Sequence, residues 1–248
     1  MTGPIIHKHS THHGERADSA APTFLIIHYT ESVNAVAPDG YFTGTLTHPT
    51  GGCVSAHYMI DVDGSTVQYV DEDRRAWHAG ASHWAGVTDI NTHSIGIELV
   101  NGGPAFGYTD FPPLQIDALI ALAQGILTRH NIPLHHVLAH SDIAPGRKID
   151  PGEKFPWKIL ADAGVGLWPQ PIQSDFNDAA ALMQDDAKLK QSLVDYGYDP
   201  VQSLDVLVKE FQRHFQPEAF AQPQSFAGVA NTETALRLSA LLRQKLNP

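Results

Sequence analysis

Residues 23–30 open the ordered pattern of the chain. Phe24, Ile26 and His28 alternate with Leu25, Ile27 and Tyr29, which predicts a buried strand presenting His28 on one face at its C-terminal end. Residues 55–62 and 65–70 are β-rich runs around Asp63-Gly64, the signature of a hairpin. In residues 94–101, Ile95, Ile97 and Leu99 point one way and Gly96 and Glu98 the other, a further strand. Pro113 opens a helix with the stripe Ile116, Leu119, Ile120, Ala123 and Leu127, stopped by Asn131 and Pro133. Residues 136–140 read as a short strand delivering His140. Strands, hairpins and helix interleave, predicting an α/β unit with a mixed central β-sheet flanked by helices.

The pattern changes at both ends. Residues 1–21 carry His7, His9, His12 and His13 in a polar, aperiodic run, and are expected to form a flexible segment. Gly164-Val-Gly-Leu-Trp168-Pro-Gln-Pro171 is small and proline-rich, a natural boundary. Beyond it three amphipathic stripes follow: Leu182, Leu189, Leu193 and Tyr196; then Leu204, Leu207, Val208, Phe211 and Phe215; then Ala235, Leu238, Leu242 and Leu246. They predict a small C-terminal three-helix domain over residues 175–248. Its core is expected to be independent of a catalytic unit at 22–170 that folds alone.

Composition narrows the function. Lys+Arg 16 against Asp+Glu 27 gives −11, which argues against nucleic acid or anionic lipid as partner. Cys53 is the only cysteine, so no intrachain disulfide forms, a state compatible with cytosol and with a bacterial envelope. No run reaches the ~20 apolar residues of a transmembrane helix, and residues 1–21 show no signal peptide.

The chemistry concentrates in His28, Glu98 and the run His140-Ser-Asp-Ile-Ala-Pro-Gly-Arg147-Lys148-Ile-Asp150. Two imidazoles and a carboxylate can hold one Zn²⁺ and leave its fourth position to water, and a carboxylate and an ammonium are what a hydrolase adds. Lys148 and Asp150, two apart on an extended segment, point to one side. No His-Glu-x-x-His helix or phosphate-binding glycine loop occurs, and no Cys–His pattern surrounds Cys53. His93, His130, His135 and His136 have no such company and are assigned to the surface.

Five blocks in order carry a family likeness: Phe24-Leu-Ile-Ile-His28-Tyr-Thr30, Ser55-Ala-His-Tyr58, Arg75-Ala-Trp-His-Ala-Gly80, Ser94-Ile-Gly-Ile-Glu-Leu99 and His140 through Gly152. Together they resemble the zinc N-acetylmuramoyl-L-alanine amidases of the AmpD/AmiD type, relatives of the peptidoglycan recognition proteins. The resemblance implies zinc on His28, His140 and Asp150, with Glu98 and Lys148 at the catalytic positions. It implies hydrolysis of the bond between N-acetylmuramic acid and L-alanine in peptidoglycan or muropeptides. Glu98 is expected to activate water and pass its proton to the amine, and Lys148 to stabilise the oxyanion. Trp77, His78, Asn101 and Arg147 are candidate substrate contacts, and the insert at residues 34–52 a candidate wall of the groove. For His57 and His78 a packing role competes.

The tail, through Tyr196-Gly-Tyr198, Phe211-Gln212 and Thr232-Glu-Thr-Ala235, resembles helical peptidoglycan-binding modules, with a plain buttress as the alternative. That likeness favours the bacterial envelope or periplasm over the cytoplasm. The competing function is a non-catalytic peptidoglycan receptor on the same fold. Such receptors typically lose a zinc ligand, whereas this chain keeps all three.

Overall fold

The computed structural model describes residues 3–246. A six-stranded sheet runs in the order β1 (Ile6–His7), β5 (Thr66–Gln68), β4 (Tyr58–Ile60), β7 (Ser94–Leu99), β3 (Phe24–Tyr29) and β8 (Val137–Ala139). Only β4 and β5 pair antiparallel, through the hairpin at Asp63-Gly64, where Gly64 takes a positive φ of 86° that a side chain would resist. β7, β3 and β8 are parallel, and every residue of β3 is buried, as expected of a central strand covered on both faces.

The alternation in β3 sorts two cores. Leu25 and Ile27 face α3 (Pro113–His130) and α5 (Trp157–Asp162), meeting Leu119, Ala123, Ile126, Trp157 and Leu160. Phe24 and Ile26 face the other way, into a core completed by the C-terminal helices. His28 continues the Phe24–Ile26 side and so lies just beyond that second core. The long α3 starts with Pro113 in its first turn and ends where Asn131 turns left-handed, as its sequence predicts. The remaining helices of this part are α1 (Val36–Thr43), inside the insert, and two single turns, α2 (Ile90–His93) and α4 (His140–Ile143).

Two expectations are corrected. The polar head is not a free tail among the described residues. β1 adds to the sheet edge with Lys8 and Ser10 amides donating to Gln68 and Tyr69 carbonyls at 2.9 and 3.0 Å. β2 (His13–Glu15) pairs antiparallel with β6 (Arg74–Ala76). Arg16 is buried, and its guanidinium donates to the carbonyls of Glu72, Asn91, Thr92 and Ser94. Backbone pairing needs no apolar periodicity, so the pattern did not reveal it.

Among the described residues the tail, in turn, holds four α-helices rather than three: α6 (Gln173–Leu182), α7 (Asp186–Tyr196), α8 (Leu204–Phe215) and α9 (Thr232–Leu246). The first stripe read as one face is split, because Asp185 caps a new helix by accepting from the amides of Ala187 and Lys188. Leu246 is exposed, and Leu241 takes the inward place. Nor is the tail core separate. Leu189, Leu193, Leu207, Phe211, Phe215, Leu238 and Leu241 pack in one cluster with Phe24, Ile26, Trp84, Leu138 and Ile143 of the sheet side. No helix among the described residues is long and apolar enough to cross a membrane.

Candidate active site and metal centre

The parallel register builds the site. His28 stands opposite Glu98 across β3 and β7, and Ile27 stands opposite Ala139, so the next residue of each strand brings His28 beside His140. The return to Asp150 is fixed by the Ser141 amide donating to the Asp150 carbonyl at 3.0 Å. His28 Nδ1, His140 Nδ1 and Asp150 Oδ2 are then mutually 3.0 Å apart, and all three residues are buried. This is the only such group of three among the described residues.

The donor chemistry fits a metal ion. His28 Nε2 is 2.9 Å from His78 Nδ1, and His78 Nε2 is 3.1 Å from Ser94 Oγ. His140 Nε2 donates to the Ala79 carbonyl at 3.1 Å. With both Nε2 positions committed, each Nδ1 offers a bare lone pair, as the outer partners of metal-bound histidines arrange. Two lone pairs and a carboxylate oxygen converging at 3.0 Å repel one another unless a cation lies between them. Burial, with the His140 ring adding to it, pushes the His28 imidazole down to about 4, so it is neutral and able to ligate. Burial works to raise the Asp150 carboxyl, but His140 and His28 outweigh it and hold it well below the usual range.

A cavity of about 570 Å³ opens over this triangle. Glu98, Lys148, Trp77, His78 and Arg147 all line it, together with His140 and Asp150, while His28 lies beneath the floor. Burial drives the Glu98 carboxyl well above its ordinary value, the Asp150 charge adds to this and Lys148 opposes it. Glu98 Oε2 is buried without a hydrogen-bond partner. An orphaned carboxylate oxygen is costly, and its place at the cavity floor is where a reactant could satisfy it.

The insert at residues 34–52 forms the opposite wall with Pro38, Tyr41, Phe42, His48 and Thr50. His48 is pushed below its ordinary value by burial and by facing Lys148. Arg147 is fixed to the wall, one nitrogen donating to the carbonyls of Ala79 and Ala81 at 2.7 and 2.6 Å. The Asn91 carboxamide accepts from the amides of His78 and Ala79, pinning that same strand of wall.

The expectation for Asn101 is corrected. It is buried away from the cavity, donating to the Thr109 carbonyl and accepting from the Gly103 amide. It shapes the loop that delivers Tyr108, whose hydroxyl donates to the Pro151 carbonyl next to Asp150. His57 is fully buried and structural, accepting from the Gly96 amide and donating to the Arg74 carbonyl. His78 packs so closely on Gly96 that a Cβ there would lie 2.6 Å from its ring. That contact, visible only across strands, explains why a small residue stands beside Glu98.

The comparisons with known proteins agree with this geometry. The profile of the N-acetylmuramoyl-L-alanine amidase family matches residues 18–153, more than half of the chain. The chain belongs to this amidase family. It is 38% identical over 251 aligned positions to the N-acetylmuramoyl-L-alanine amidase AmiD of Escherichia coli (strain K12), covering 92% of this chain and 86% of that one. It is 39% identical to the 1,6-anhydro-N-acetylmuramyl-L-alanine amidase AmpD of Enterobacter cloacae, over 61% of this chain and 85% of the relative. Among solved structures, E. coli AmiD in complex with the substrate anhydro-N-acetylmuramic acid-L-Ala-D-gamma-Glu-L-Lys superposes with a TM-score of 0.74 at 35% identity, over 93% of both chains. The likeness to AmiD therefore extends through the helical tail.

Proposed function

We propose that this protein is a zinc-dependent amidase that cleaves the bond between N-acetylmuramic acid and L-alanine in peptidoglycan fragments. The observation that carries the reading is the triangle of His28, His140 and Asp150 with the unpartnered Glu98 oxygen at the floor of one cavity. The substrates of the relatives support it: AmiD and the Pseudomonas aeruginosa AMPDH3 were solved with anhydromuramyl peptides.

His28, His140 and Asp150 would hold the zinc ion, which when bound would supply a Lewis acid for the scissile carbonyl and a lowered pKa for a water molecule. Glu98 orients that water, takes its proton and carries it to the leaving amine of L-alanine. Lys148 sets its ammonium beside the oxygen that becomes negative in the transition state. Trp77, His78 and Arg147 form one wall for the peptide and sugar, and the 34–52 insert forms the other. The tail, residues 175–248, adds contact with the wall polymer, and the bacterial envelope is the compartment in which such contact serves.

Zinc content and turnover of anhydromuramyl-tripeptide, read side by side, test the roles. Glu98→Gln is expected to keep one zinc per chain and lose turnover. His28→Ala and Asp150→Ala are expected to lose the metal itself. Lys148→Ala is expected to lower kcat by ~10²–10³ with zinc retained. Full turnover by Glu98→Gln, or full zinc in either ligand variant, would overturn the assignment.

A further inference from the structure

One fully buried carboxylate beside the site has a task that the reaction does not use. Asp142 lies in α4, two residues after His140, and is wholly inaccessible. Its Oδ2 accepts from the Ala139 amide at 2.8 Å, closing the single helical turn that begins at His140. The same oxygen accepts from His214 Nδ1 at 2.7 Å, and Oδ1 accepts from the Tyr198 hydroxyl at 2.7 Å. Both of these donors belong to the tail. His214 is itself buried and stacked on Trp157 at 3.7 Å, and Tyr198 is buried edge-on against Trp84 at 4.9 Å.

Helix α8 follows this segment further. Val206 lies 3.3 Å from where a Cβ on Gly146 would stand, and Arg213 pairs with Glu153 three residues past Asp150. Two of the three metal donors, His140 and Asp150, are thus carried on a segment that the tail grips near both ends. A tail that merely anchored the protein to a polymer would have no reason to bury donors against Asp142. Apolar packing alone would cover the sheet without them.

We infer that Asp142 is a positioning residue, through which Tyr198 and His214 of the helical tail fix the turn that presents His140 to the metal. The inference rests on the zinc-site reading above. It assigns the tail a part in the preorganisation of the metal centre, separate from any contact with the wall. A small rotation of the turn moves His140 Nδ1 relative to His28 and Asp150, and metal sites lose roughly tenfold to a hundredfold in affinity when the partners that orient their ligands are removed.

The test measures zinc affinity of the full chain by competition with a chelating indicator, and melting temperature on the same samples. Wild type must first bind zinc; if it does not, the metal reading fails and not this one. His214→Leu and Tyr198→Phe each delete one bond to Asp142 while keeping bulk. Both are expected to weaken zinc binding by roughly tenfold. His214→Asn keeps a donor near the position of Nδ1 and is expected to restore most of the affinity. Leu241→Ala removes only apolar atoms from the same core, and serves as the control that lowers the melting temperature with zinc affinity unchanged. Zinc affinities of His214→Leu and Tyr198→Phe that fall no further than that of Leu241→Ala would overturn the inference, as would failure of His214→Asn to differ from His214→Leu.

Discussion

The head, residues 6–16, and the tail, residues 173–246, are held against the sheet-bearing part of the chain by opposite means. The head is attached through backbone hydrogen bonds to β5 and β6 and through one buried guanidinium that serves four carbonyls. It brings almost no apolar surface. The tail brings Leu193, Leu207, Phe211, Phe215 and Leu238 into a core shared with Phe24, Ile26 and Leu138. Its polar contributions to that contact include the clamp on Asp142 and the pairing of Arg213 with Glu153. A strand edge can hold a hydrophilic segment with no side-chain pattern, whereas helices on a sheet face must declare themselves as stripes. The tail is visible in a sequence and the head is not. Visibility of a stripe says nothing, however, about which surface it covers.

Removing the tail is expected to have the largest effect. A chain ending at residue 170 exposes Phe24, Ile26, Trp84, Leu138 and Ile143 together, and is expected to lose cooperative unfolding and solubility. A soluble fragment with an unchanged melting temperature would show two independent cores. Less drastically, Phe211→Ala should cost about 3–5 kcal/mol in urea denaturation, since it empties a fully buried site in the shared cluster.

The head answers to polar changes instead. Arg16→Met is expected to cost about 2–3 kcal/mol, because charge-assisted bonds are lost and the carbonyls of Asn91, Thr92 and Ser94 keep no donor from it. A loss as small as that of a surface substitution would place the head's attachment elsewhere.

Acid should act through a neighbour of that same guanidinium. Burial, then the Arg16 charge, pushes the His57 imidazole down to about 3. The unfolded chain takes up this proton near pH ~6.5 and the folded chain only near 3, so the contribution is intact above 6.5 and declines as pH falls through that window. Between pH 7 and pH 5 the decline from His57 is about 2 kcal/mol. His57→Asn, which cannot titrate, should show a shallower loss in chemical denaturation over the same range. Deleting residues 1–9 is expected to have the smallest effect, about 1 kcal/mol, for the edge strand β1 alone.

Much of the site was legible in the sequence. Alternation in β3 and β7 placed His28 and Glu98 on a common face, and parallel pairing put them side by side. His140 and Asp150 were legible as a motif, and the hairpin and α3 from their turn and capping residues. The residues that hold the site were not. Asn101 looked like a substrate contact but spends both polar atoms on its own loop. Asp142 sits inside the motif, yet its partners Tyr198 and His214 lie 56 and 72 positions away, and no local period predicts such pairs. Arg16 fell in a segment with no pattern at all. Local rules register which side of an element is buried; hydrogen bonds across the fold depend on a topology they do not contain.

The bond from the Ser141 amide to the Asp150 carbonyl has a consequence for how such an enzyme can diverge. It closes residues 141–150 into a loop whose two ends set the spacing of His140 and Asp150. The middle of the loop, at Arg147, faces the cavity. Changes of sequence in the middle can therefore alter what the cavity accepts while the ends keep the ion-holding geometry. Donor spacing and substrate preference become separately heritable, one written at the root of the loop and the other at its tip.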